Sequence, residues 1–148
     1  MLLLTIGYEG LDQRQFLSYL LQYNVDVVAD VRKLPISRKK GFSKSALTET
    51  LQEKNIDYLN VRELGAPKEI REELYASGDY KRFFQKYQKA ISSKNDHLQS
   101  ILSLVTSGKK VALLCFERKP ETCHRNVVVE EIRKLDGNGL TVKHIVPI

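Results

Sequence analysis

Short β-rich apolar runs alternate along the chain with longer stretches in which apolar residues recur every three or four positions, the pattern of strands and helices in an α/β sheet. The first run, Leu2 to Tyr8, predicts a strand, and Asp12 then caps a helix carrying Phe16, Leu17, Leu20 and Leu21 that ends near Asn24. Val25 to Val31 follows as a second strand, apolar throughout except for Asp26 and Asp30, as expected of a strand covered on both faces. Ser43 caps a helix with Leu47 and Leu51, and Ile56 to Val61 is a third, shorter strand. Leu64 to Ser93 reads as helix broken at Ser77, Gly78 and Asp79. His97 to Ser107 is a further helix, presenting Leu98, Ile101, Leu102 and Val105. Gly108 closes it, and Lys109 to Phe116 is the strongest strand. A helix from Thr122 to Leu135 and a strand from Leu140 to Val146 complete the pattern.

Five strands separated by helices, without repeats or a shift in composition, predict one α/β domain over residues 1–148. Its expected architecture is a single three-layer, Rossmann-like domain with a mostly parallel sheet of about five strands flanked by helices. In such sheets ligands bind at the carboxyl ends of the strands, where the strand order reverses. The loops after the first, second and fourth strands are therefore where chemistry is expected.

Composition narrows the class. With 148 residues and 42% hydrophobic content the chain suits one ordinary globular domain. Its 24 Lys and Arg exceed 18 Asp and Glu by six, a mild cationic bias that favours anionic partners. No apolar run reaches the roughly 18 to 20 residues that cross a bilayer, and the opening MLLLTIGYEG lacks a cationic leader, so the expectation is a cytoplasmic protein without membrane contact. Two cysteines are too few for a disulfide framework and are expected to be reduced.

After the fourth strand, Cys115, Glu117, Arg118, Glu121, Cys123, His124 and Arg125 fall close together. With Thr122 as N-cap, the CHR triplet occupies the first helical turn, where backbone donors stabilise an anion or thiolate. Arg125 would add a fork for phosphate or carboxylate, and His124 a proton donor or acceptor. The plainer alternative makes Cys115 a packed core thiol, and it competes with reactivity at Cys123 as well. Spacing excludes the phosphatase arrangement, since the sixth residue after Cys115 is Glu121 and the sixth after Cys123 is Val129. No GxxxxGK[ST], GxGxxG, GxSxG, HExxH or CxxC segment occurs. Cys115, Glu117, Cys123 and His124 suit zinc by type, but adjacent Cys and His rarely point at one ion, so neither a metal nor a cofactor is expected.

The loop after the second strand adds Asp30, Arg32, Arg38, Lys39, Lys40, Phe42 and Lys44, a set that could hold a polyanion and stack a base, or be a solvated basic loop. Arg32 directly follows the buried strand and should sit at the sheet edge. Tyr8 and Glu9 stand at the same edge after the first strand. The stripe Tyr80, Phe83, Phe84 and Tyr87 reads as an amphipathic helix packing its aromatics, in preference to a nucleic-acid face.

The segments TIGYEG, DVRKLPISRKKGFSKSAL, IDYLNVRELGAP and LLCFERKPETCHR together resemble the domain of unknown function 488 family over nearly the whole chain. Its pattern falls on Tyr8 and Glu9, Asp30 and Arg32, Pro35, Ser37 and Phe42, Cys115 and Glu117, and Cys123, His124 and Arg125. Ala66 stands where the family often has a second glycine after Gly65. The resemblance implies an intracellular α/β protein with enzyme-like motifs and no assigned substrate.

The combined expectation is an enzyme performing phosphoryl, glycosyl or nucleobase chemistry, a hydrolase or transferase directed at a nucleotide or nucleic acid. Glu9, Cys115, Glu117, Cys123 and His124 are its catalytic candidates, and Tyr8, Asp30, Arg32, Ser37, Arg38, Phe42 and Arg125 its substrate-binding ones. Two alternatives stand beside it: a noncatalytic nucleic-acid-binding module, and a thiol redox protein using Cys115 and Cys123. The expected partner is an anionic ligand, and a homo-oligomer is compatible with all three.

Overall fold

A computed structural model describes residues 1–119, 123–137 and 139–147. The chain runs β1 (Leu2–Gly7), α1 (Gln13–Gln22), β2 (Val27–Asp30), α2 (Lys44–Gln52), β3 (Asp57–Asn60), a 3-10 turn at Arg62–Leu64, α3 (Lys68–Ser77), α4 (Tyr80–Ser92), α5 (Asn95–Thr106), β4 (Val111–Cys115), α6 (Arg125–Asp136) and β5 (Thr141–Ile145).

Local chemistry sets these boundaries. Asp12 starts α1 through a capping box, its carboxylate accepting from the Gln15 backbone while the Gln15 side chain returns to the Asp12 N–H. Gly78, at φ 71°, ends α3 in the left-handed conformation, and Asp79 then caps α4 by accepting from the Arg82 N–H. Ser43 precedes α2 as expected but makes no side-chain cap; its hydroxyl accepts from the Ser37 N–H and donates to the Ser37 carbonyl, pinning the basic loop. The last helix begins at Arg125, so Cys123 and His124 precede it, and the expected cap Thr122 lies outside the described residues.

The five strands form one sheet in the order β3-β2-β4-β1-β5, with every neighbouring pair parallel. Alternate residues of each central strand face opposite sides. Leu4, Ile6, Val28 and Leu114 belong to a core with Phe16, Leu20, Leu47 and Leu51 of α1 and α2. Leu3, Val27, Ala29 and Leu113 belong to a second with Leu74, Tyr87, Ile101 and Val128 of α3 to α6. The result is a three-layer α/β fold with β2, β4 and β1 side by side, so the three loops singled out above share one edge. No helix among the described residues is long and apolar enough to cross a membrane.

Candidate functional site

Beyond the carboxyl ends of β1 and β4 the two loops continue to pair, the Tyr8 N–H donating to the Cys115 carbonyl at 3.1 Å and the Glu9 N–H to that of Phe116 at 2.8 Å. Gly7 permits this approach, because a Cβ there would lie 1.8 Å from the Glu117 carbonyl oxygen. Glu9 is exposed and accepts from the Arg118 N–H at 3.0 Å, so it anchors the loop from outside the cleft.

Arg125 corrects an expectation. It is 0% exposed, and its guanidinium donates to the Glu117 carbonyl, to the Arg118 carbonyl at 3.1 Å and to the Cys115 sulfur at 3.2 Å. A guanidinium has five donors in a fixed fork. Here the fork is turned on the chain's own loop, making Arg125 a clamp for the turn after β4 instead of a phosphate ligand.

Asp30 ends β2 with its carboxylate fully buried. It accepts from Arg32 Nη2 at 2.7 Å, from Arg32 Nε at 2.9 Å and from the Tyr58 hydroxyl. Burial opposes the Arg32 charge, but the hydrogen bonds and charge of Asp30 outweigh it and hold the guanidinium above its usual range. Burial, followed by the Asp30 charge, pushes the Tyr58 phenol up. Arg32 Nη1 in turn donates to the Tyr8 hydroxyl at 3.2 Å.

Tyr8 stacks on Phe42 with centroids 4.6 Å apart, and Phe42 also meets Phe16 edge-on at 5.4 Å. Phe42 is 0% exposed, which corrects its expected part in base stacking: its ring belongs to the core beneath Tyr8. Ser37 accepts from the Tyr8 hydroxyl at 3.4 Å and from the Lys39 N–H at 3.1 Å. Arg38 is exposed on the same loop and does not line the cleft.

Between these loops and helices α3 and α4 lies a cleft of about 310 Å³. Arg32, Glu117, His124 and Tyr8 line it, together with Arg71, Tyr75 and Tyr80, which the sequence reading did not select. The buried Nε of Arg71 has no hydrogen-bond partner among the described residues. Glu117 and Tyr80 line the same space, and the Glu117 charge first, then burial, pushes the Tyr80 phenol up. Cationic groups, a carboxylate and an imidazole thus face one space with aromatic walls.

His124 is held neutral. Burial lowers its pKa, the Val31 carbonyl raises it in part, and the charges of Arg125 and Arg71 lower it again. Its Nε2 lies 2.9 Å from the Val31 carbonyl, which can only accept, so Nε2 carries the proton and Nδ1 keeps a lone pair. Nδ1 faces the Cys123 sulfur at 3.8 Å. The Cys115 and Cys123 sulfurs are joined as a disulfide, which departs from the expectation of two reduced thiols.

A family model described as the domain of unknown function DUF488 matches residues 12–132. No curated protein and no solved structure matches the chain.

Proposed function

The chain belongs to the domain of unknown function DUF488 family, whose description assigns no reaction, and on that premise we propose from the cleft itself that it is an enzyme acting on a nucleotide or a nucleotide unit of nucleic acid. The carrying observation is that Arg71, whose buried Nε has no hydrogen-bond partner among the described residues, lines the same cleft as Arg32. A phosphate in the cleft would accept charge-assisted bonds from the Arg71 guanidinium. Arg32 is neutralised by Asp30 yet keeps donors to spare, so it orients the same anion without adding an unpaired charge.

The aromatic rim supplies the second half of the recognition. Tyr75 is 78% exposed, and with Tyr80 and Phe116 it offers ring faces to a base. The volume lies at the lower end of the ~300 to 1,000 Å³ typical of small-molecule sites, which suits one nucleotide. Glu117 then acts as general acid or base at the bond that breaks.

Single-turnover rates on a panel of nucleotides and oligonucleotides test this reading. Glu117→Gln is expected to leave binding within about twofold while the rate falls by roughly 10² to 10⁴. A variant that turns over at the wild-type rate removes Glu117 from the chemistry. Exposed Arg38 and Lys40 favour a second reading, noncatalytic nucleic-acid binding, whose mark is a steep loss of affinity with salt and indifference to Glu117→Gln.

A further inference from the structure

Cys115, Cys123 and His124 offer two sulfurs and one ring nitrogen that all lie within 4.8 Å of one another. Although Cys123 and His124 are sequence neighbours, which argued against a shared ion, the turn before α6 points Sγ and Nδ1 at the same space, 3.8 Å apart. We propose that the reduced chain binds one zinc ion through Cys115 Sγ, Cys123 Sγ and His124 Nδ1, with a fourth position open to the cleft.

Four observations carry this. The donors are two thiols and an imidazole, the set that selects zinc, and three protein ligands with one open position is the arrangement of catalytic zinc sites. The imidazole has the required tautomer, since Nε2 donates to the Val31 carbonyl and leaves the Nδ1 lone pair for a metal. Metal-bound histidines regularly donate their other nitrogen to such a carbonyl. Arg125 donates to the Cys115 sulfur at 3.2 Å, so a guanidinium stands beside this ligand and can remain hydrogen-bonded to it. Finally, the Cα atoms of the two cysteines stand 7.5 Å apart, beyond the ~4.4 to 6.8 Å usual for a disulfide. Two sulfurs bound at ~2.3 Å to one tetrahedral ion sit about 3.8 Å from each other and suit that wider span. Cys123 and His124 line the cleft whereas Cys115 does not, so the open position faces Arg32 and Glu117.

The disulfide form must first take up two electrons and two protons. A phosphine supplies the electrons and leaves as its oxide with an oxygen from water, and zinc then displaces the two thiol protons. The inference does not depend on the proposed function, so zinc binding without nucleotide binding would leave it standing and would count only against the function proposed above.

The test is metal titration of the full chain, reduced with a phosphine and freed of metal, using cobalt(II) as a spectroscopic probe and zinc in competition. One equivalent per chain is expected, with a near-ultraviolet thiolate-to-cobalt band that zinc abolishes. The band should be absent from Cys123→Ser, from His124→Gln and from the oxidised chain, with circular dichroism confirming the fold of each variant. X-ray absorption of the zinc-loaded wild type needs no variant and should show two sulfurs at ~2.3 Å and one nitrogen at ~2.0 to 2.1 Å. Absence of the band from the reduced wild type, a first shell without sulfur, or equal binding by the oxidised chain would overturn the proposal.

Discussion

Asp30→Ala is expected to remove about 3 to 5 kcal/mol of folding stability, measured by urea denaturation, because it leaves the Arg32 guanidinium buried without its counter-charge. Asp30 takes the side chain of Arg32 through Nε and Nη2, the Arg32 N–H at 3.1 Å and the Tyr58 hydroxyl, so one substitution leaves donors unpaired in the loop after β2 and in β3. A companion variant separates charge burial from packing. Asp30→Ala combined with Arg32→Met should recover a large part of the loss, since an apolar pair at such a position is often neutral. A loss below about 1 kcal/mol for Asp30→Ala would place the pair among solvent-screened ion pairs and remove it from the site's framework.

Arg125→Ala has an expected cost of comparable size, about 3 to 5 kcal/mol, from two sources. It strips the Glu117 and Arg118 carbonyls of charge-assisted donors, and it leaves a cavity where a wholly buried side chain stood. Arg125→Lys should restore less than half, because an ammonium cannot reproduce the fork that reaches both carbonyls and the Cys115 sulfur. Denaturation with the disulfide intact measures both variants. If alanine were tolerated with a loss under 1 kcal/mol, Arg125 would not be the clamp that shapes the turn after β4.

The sequence exposed the strand-end logic well and the helical wall poorly. Asp30 and Arg32 were legible as sheet-edge residues, because an aspartate closing a nearly unbroken apolar run lies at the strand's end and Arg32 directly follows it, whereas their pairing with each other shows only in the fold. The parallel sheet followed from short apolar runs alternating with helical periods. Arg71 and Tyr75 were not legible: they lie four residues apart on α3, a helix rich in charge, and only the crossover between β3 and β4 carries that helix over the cleft. Their i, i+4 spacing marks a shared face but not what it meets. Phe42 misled for the opposite reason, since an aromatic flanked by lysines reads as a stacking residue, and its burial depends on Tyr8 and Phe16 arriving from distant segments. Arg125 misled because a CHR triplet beside a helix start suggests an anion site, whereas the inward turn of its guanidinium follows from carbonyls that only the folded loop presents.

The claim that matters most is that the cleft binds a phosphate-bearing ligand through Arg71. Isothermal titration of the wild type and Arg71→Ala with nucleoside monophosphates and their dephosphorylated nucleosides measures it directly. The account predicts that a monophosphate binds the wild type more tightly than its nucleoside does, and that Arg71→Ala weakens it about 10- to 100-fold, the range that one charge-assisted contact supplies. Equal affinity for wild type and variant, or no preference for the phosphorylated ligand, would contradict it.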